Sequence, residues 1–138
     1  MKFKVLLITL LLPCLLAPGI QAAHPTIPES RRNDPVIVSG AALSAFAGVP
    51  LNELVIYVYR QGTWEQIPWQ FEEIVDEMIV SDEDGLLDSD DELVFMAKDV
   101  GELAPADAWI DDSSSQQYPR LEIRIVDPLD TANVGYAY

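Results

Sequence analysis

Residues 53–71 read ELVIYVYRQGTWEQIPWQF, and this stretch decides the fold class. The run at 53–60 is β-branched and aromatic with both faces apolar, which is typical of a strand in a sheet that is covered on both sides. Gln61 and Gly62 fit a tight turn, and residues 63–71 return as the hairpin partner. Pro68 has no backbone N–H, so it places this partner at a sheet edge or at a bulge. The stretch therefore predicts a β-hairpin.

Apolar segments elsewhere in the chain predict further strands. Residues 36–38 are apolar, residues 92–97 read ELVFMA, and residues 120–128 alternate apolar with polar positions. Short strands separated by long polar loops favour an all-β fold, and within it an antiparallel β-sandwich of Ig-like or jelly-roll-like type. The last alternating run ends at Tyr138 without a polar terminus. We therefore expect the domain to be incomplete at its C-terminus and to be the N-terminal part of a longer protein.

The segment at 71–80 fits two structures. Phe71, Ile74, Val75 and Met78 are spaced for one face of an amphipathic helix. The alternative is a strand that ends near Val75, followed by a short strand at 78–80. No capping residue precedes a helix here, and acidic residues continue to its C-terminal end, where the helix dipole disfavours them. We therefore favour the two strands.

The first 23 residues have the layout of a secretory signal peptide. Lys2 and Lys4 precede an apolar run at 5–16, and small residues allow cleavage after Ala22 or Ala23. The apolar run is too short to span a bilayer, although an uncleaved membrane anchor is the alternative. Residues 24–35 contain three prolines and predict an extended leader, and residues 36–138 form the domain. The pattern predicts an exported protein, periplasmic or extracellular, with no membrane span after cleavage.

The charge of the mature chain is strongly negative. All 23 acidic residues follow residue 23, and two of the eight basic residues precede it, so the formal charge after cleavage is 6 minus 23, or −17. This charge excludes nucleic acid and argues against anionic lipid surfaces as partners. It favours cations, or a salty medium that screens the self-repulsion. The mature chain contains no cysteine, so it cannot form a disulfide.

The acidic residues are densest at 82–92, where seven of eleven positions carry a carboxylate. Calcium takes six to eight oxygen ligands, and closely spaced aspartates can supply several of them from one short segment. Gly85 permits the bend that turns these carboxylates toward one another. The pattern predicts a calcium site, and the alternative is a solvated acidic hairpin loop. The candidate ligands are Asp82, Asp84, Asp88, Asp91 and Glu92, with Asp76, Glu77 and Asp90 as additional oxygen donors.

This segment resembles the calcium loops of EF-hand proteins, and more closely the aspartate-rich repeats of thrombospondin type 3. Aligning Gly85 with the EF-hand glycine implies ligand roles for Asp82 and Asp84. The same alignment puts Asp88 at the often water-mediated position and Asp91 at the closing position.

The segment also departs from the EF-hand pattern. Val80 stands where the opening ligand should be, and Asp91 replaces the closing glutamate, with Glu92 one residue later. The sequence shows no pair of flanking helices and only one copy of the loop. The resemblance therefore supports a cation-binding loop and not membership of either family.

A broader resemblance covers about forty residues, from WEQIPWQFEE at 64–73 to EDGLLDSDDELVFMAKDVG at 83–101. The combination resembles a group of bacterial exported β-rich proteins of unknown function. In these proteins a tryptophan-containing hairpin precedes a D-G-x-L-D-x-x-D-E-L-V-F-M segment. The resemblance implies an envelope or secreted β-rich protein, and it implies no activity. Another envelope protein or a carbohydrate is a candidate partner.

The sequence offers little for catalysis. His24 is the only histidine and lies in the leader, so neither a Ser-His pair nor a histidine zinc site can form. Two carboxylates could act as in a glycoside hydrolase, but 23 acidic residues make any one pair unspecific. We expect a non-catalytic protein, with a glycoside hydrolase-type fragment as a weaker alternative.

Aromatic residues provide another binding hypothesis. Trp64, Trp69 and Trp109, with Tyr57 and Tyr59, could form a flat platform for the rings of a carbohydrate. Aromatic residues on alternating strands more commonly belong to the core. Two or more coplanar rings that face solvent would favour a carbohydrate-binding module.

Overall fold

The structure, a computed structural model, describes residues 27–76, 78–80 and 84–138, and it is mostly β. Within these ranges no helix is long and apolar enough to cross a membrane. The prediction of an all-β chain with antiparallel sheets is confirmed. The strands are β1 (Pro35–Ser39), β2 (Tyr57–Arg60), β3 (Thr63–Gln66), β4 (Gln70–Val75), β5 (Met78–Val80), β6 (Glu92–Met96), β7 (Ile123–Asp127) and β8 (Asp130–Ala137).

The strands form one larger sheet and two hairpins. The larger sheet is antiparallel with the order β1-β6-β4-β5, and the hairpins are β2-β3 and β7-β8. The two hairpins join where the backbone N–H groups of Tyr57 and Tyr138 donate to each other's carbonyl oxygens, at 2.9 and 2.8 Å. Isolated bridges from Gly101 to Tyr136 and from Tyr59 to Glu102 extend this contact.

One hydrophobic core connects the larger sheet with the hairpins. Leu93 and Phe95 alternate with half-buried neighbours along β6, so one face of the larger sheet is buried. The same cluster contains Val58 from β2 and Ala137 from β8, both fully buried. The core therefore lies between the sheet and the two hairpins.

The hairpin at 53–71 forms with a shorter ladder than predicted. Gln61 and Gly62 make the turn with φ values of 49° and 85°, and β2 begins only at Tyr57. Continuing the β2-β3 register places Pro68 opposite Val55, where a missing N–H ends the ladder. The chain then crosses to the larger sheet, where β4 begins at Gln70. The ladder is therefore limited by Pro68.

The prediction of two strands at 71–80 is confirmed. β4 ends at Val75 and pairs with β5, which begins at Met78. Asp76 has a φ of 50° in the turn between these strands. Acidic side chains would destabilise the C-terminal end of a helix here, but this pair of strands tolerates them.

The part of the leader that the structure describes differs from the extended chain that the sequence predicts. Glu29–Arg31 forms a 3-10 turn, and the carbonyl oxygens of Arg32 and Asp34 accept the N–H groups of Lys98 and Ala97 at 2.8 and 3.0 Å. A pair between Arg31 and the buried Asp127 at 3.3 Å ties this segment to β7. Residues 27–34 therefore pack on the domain.

The alternating pattern predicts a strand at 120–128, and the strand in the structure is shorter. β7 spans Ile123–Asp127, and the residues before it belong to the long loop that starts after β6. The Arg120 guanidinium donates to the carbonyl oxygens of Pro105 and Ala108 at 2.9 and 2.6 Å, which holds Arg120 against that loop.

Candidate functional site

The described part of the acidic segment, residues 84–91, is an ordered part of the domain. It packs along residues 40–51, and Leu87 within it is 1% exposed. Four of its carbonyl oxygens and the amide of Leu87 therefore have backbone partners in residues 40–51, unlike those of a solvated loop. The bonds are Gly40 N to Asp91 O at 2.7 Å, Ala41 N to Ser89 O at 3.1 Å, Gly48 N to Leu87 O at 2.8 Å, Leu87 N to Val49 O at 2.9 Å and Leu51 N to Gly85 O at 2.9 Å.

Three of the predicted ligands accept backbone N–H groups inside the segment. Asp84 Oδ1 accepts from the N–H of Leu86 at 2.8 Å, and Asp88 Oδ1 accepts from the N–H of Asp90 at 3.1 Å. Asp91 Oδ2 accepts from the N–H of Asp88 at 2.8 Å. These carboxylates cap amide groups that an irregular backbone leaves without sheet partners. This is one physical reason for the density of aspartates.

Glu73 on β4 is a member of the site that the sequence did not indicate. Its Oε1 accepts from the N–H groups of Gly85 and Asp84 at 2.7 and 3.3 Å. The β4-β6 register pairs Phe71 with Leu93, and two residues further it places Glu73 opposite Asp91. Only this long-range register brings Glu73 to the segment.

Asp91 is the most unusual carboxylate of the site, because it is 1% exposed. Burial raises its pKa, and the negative charges of Asp88, Glu73 and Asp90 raise it further, while the hydrogen bond from the Asp88 N–H opposes the increase. Every charged side chain that shifts this pKa is anionic. A cation at this position would relieve both the burial cost and the repulsion.

Asp88 and Asp90 influence each other's pKa. A hydrogen bond between their carboxyl groups lowers the pKa of Asp88 and raises the pKa of Asp90. The titration of one of these two carboxyl groups therefore depends on the protonation of the other.

The other predicted ligands are more dispersed. Glu92 pairs with Ser39 and Glu72 within the sheet, and strand alternation directs its side chain to the face opposite that of Leu93. Asp76 is exposed in the turn after β4. Asp82 and Glu77 lie outside the described residues. Within the described ranges, no three histidine, cysteine or acidic side chains are grouped closely enough to hold a metal by themselves.

The shifted pKa of Asp91 leads to a pH prediction. Its folded pKa is above the unfolded value, so its contribution to stability is full below about pH 4 and is lost as the pH rises through the folded pKa. We expect Asp91→Asn to gain unfolding free energy relative to the unchanged protein as the pH rises above about 4. Urea unfolding at a series of pH values, in chelator, measures this difference.

Asp112 provides a control of opposite sign. The Ser115 hydroxyl and N–H donate to its carboxylate at 2.6 and 2.7 Å and lower its pKa. Its contribution is present above the unfolded pKa and is lost as the pH falls through the folded pKa, so Asp112→Asn should lose stability relative to the unchanged protein as the pH rises. Parallel pH profiles for the two variants would contradict the prediction for Asp91.

Two of the three tryptophans belong to one aromatic cluster. The Trp64 ring centroid lies 5.2 Å from that of Tyr59, 5.5 Å from that of Trp109 and 5.0 Å from that of Tyr138. The interplanar angles are 63°, 90° and 87°. The Arg120 guanidinium carbon lies 5.0 Å from the Tyr138 ring centroid. Near-perpendicular rings share no flat face, so this cluster does not support a sugar platform.

Trp69 is held in a separate place. Its ring is half-buried, packs against the core and meets Phe71 edge-on at 5.5 Å with an interplanar angle of 68°. The structure therefore brings Trp64 and Trp109 together and places Trp69 in a different contact.

Comparisons with known proteins do not assign a family to this chain. No protein-family model matches the sequence, and no curated protein and no solved structure matches it either.

Proposed function

We propose that this chain is an exported, non-catalytic β-sandwich module in which a calcium ion binds at the acidic segment and stabilises the domain. The observation that carries the proposal is the buried Asp91 carboxylate, whose pKa is raised by burial and by three neighbouring acids. A divalent cation bound at Asp91, with help from acidic neighbours in the segment, would offset these charges. Backbone carbonyls and water would complete the six to eight oxygen ligands that calcium takes.

The proposed role of the ion is to fasten two parts of the domain together. Residues 84–91 touch residues 40–51 through backbone bonds, and Glu73 reaches the same segment from β4. Calcium between Glu73 and Asp91 would therefore connect β4, the acidic segment and the start of β6. In the sandwich that we propose, the larger sheet is one layer and the two joined hairpins are the other.

Thermal unfolding of the mature protein in calcium and in chelator tests this proposal. Extracellular calcium modules bind at about 0.1–1 mM, so 10 mM calcium should raise the melting temperature by roughly 5–10 °C. The double variant Asp84→Ala with Asp88→Ala should lose this increase. Asp91→Asn should lose it as well, because one charge of the buried site is gone.

A second pair of aspartates serves as the matched control. Asp107→Ala with Asp111→Ala removes the same two charges from exposed positions in another loop, so it should keep the calcium response. Equal melting temperatures in calcium and in chelator would show that the segment needs no metal. An equal calcium response in both double variants would show that the ion only screens the net charge.

A further inference from the structure

A cavity of about 310 Å³ lies between the larger sheet, the segment at 49–57 and the long loop at 109–121. Its inner wall reaches core residues, among them Leu43, Leu87 and Leu93, which are at most 4% exposed. A cavity of this size is at the lower end of the range of small-molecule sites, about 300–1,000 Å³.

The lining of the cavity is apolar and almost without charge. Among the described residues that form it, Glu53 carries the only charge, and it is exposed. Apart from Glu53 and the indole N–H of Trp109, the polar side chains of the lining carry hydroxyl groups. Two of these hydroxyl groups already have partners: Ser115 Oγ donates to Asp112, and the Tyr138 hydroxyl oxygen accepts the Ala104 N–H. A ligand would therefore meet hydrocarbon on most sides and a negative charge at the mouth.

We propose that this cavity binds a small apolar molecule that carries no negative charge, such as a single hydrocarbon chain with a neutral end. An anionic end would meet Glu53 and the acidic surface of the domain without a basic lining residue to neutralise it. Arg120 is near, but its guanidinium is held by the carbonyl oxygens of Pro105 and Ala108. This inference is independent of calcium binding.

Fluorescence of the neutral dye N-phenyl-1-naphthylamine tests the site in the mature protein. The dye should brighten on binding, and decanol should displace it at concentrations at which decanoate, the anionic molecule of the same chain length, does not. Glu53→Gln should make decanoate at least several-fold more effective, and Asp130→Asn, at the start of β8, should not.

Two variants that fill the cavity locate the binding site. Val55 is 40% exposed in the lining and Leu121 belongs to the opposite loop, so Val55→Trp and Leu121→Trp should each weaken dye binding at least tenfold. Leu129→Trp is the control, because Leu129 is 82% exposed and lies outside the lining. Circular dichroism identifies any variant that does not fold, and either filling variant suffices for the test.

The outcomes separate clearly. No brightening with the unchanged protein would overturn the proposal. Undiminished binding in a folded Val55→Trp or Leu121→Trp variant would place the dye elsewhere and would also overturn it. Equal displacement by decanol and decanoate would overturn the assigned charge of the ligand.

Discussion

Gly40→Ala is expected to lower the unfolding free energy by about 3 kcal/mol or more, a large share of the 5–15 kcal/mol that holds a domain folded. A Cβ at this position would overlap the carbonyl oxygen of Asp88 and lie 3.3 Å from that of Asp91. Both contacts are backbone atoms, so no side chain can rotate away. The acidic segment would have to separate from residues 40–51, and the 2.7 Å bond from the Gly40 N–H would be lost.

Gly48→Ala separates steric overlap from backbone strain. Gly48 has a φ of 79° with no atom within 4 Å of a Cβ, so alanine should cost only about 1–2 kcal/mol there. Urea unfolding followed by tryptophan fluorescence measures both variants. Similar losses for the two glycines would mean that the contact between residue 40 and the acidic segment is looser than the structure shows.

Leu87→Ala is expected to cost about 2–5 kcal/mol, because it removes a buried side chain and leaves a cavity. Leu87 is 1% exposed and belongs to the core cluster, although it stands among aspartates in the sequence. The adjacent Leu86 is 40% exposed, so Leu86→Ala should cost about 1 kcal/mol or less. Neither substitution changes the local charge, and chemical denaturation measures the unfolding free energy that each one costs.

The Leu86 and Leu87 pair decides whether residues 84–91 belong to the folded domain. A small loss for both substitutions would indicate a loop that is detached from the core. A large loss for Leu87 alone would show that the acidic segment contributes to the stability of the domain even without a metal.

Local patterns were sufficient for much of the fold. The β-branched run with Gln61 and Gly62 predicted the β2-β3 hairpin, and the absence of a helix cap correctly favoured two strands at 71–80. These features depend on residues that are close in sequence, so a short stretch of sequence is enough to predict them. The point at which Pro68 ends the ladder could be located only from the register of the hairpin.

Long-range contacts could not be predicted in this way. Glu73 reaches the acidic segment because β4 and β6 pair, and no pattern around Glu73 indicates that pairing. The backbone hydrogen bonds between residues 40–51 and 84–91 could not be predicted either. Nothing in a run of small residues and a run of aspartates indicates that the two segments pair. The sequence also favoured a cation loop by counting carboxylates, whereas three of these carboxylates accept amide hydrogens from their own backbone.

The pairing of β1 with β6 has a consequence for the order in which the chain can fold. Ser39 pairs with Glu92, 53 positions later, whereas the partners in β2-β3 and β7-β8 are near neighbours. The two hairpins can form from residues that are close in sequence, but β1 can pair only with the distant β6. Because closing so long a loop costs more entropy than closing a hairpin, the β1-β6 ladder is expected to form more slowly, and β1 stays unpaired until then.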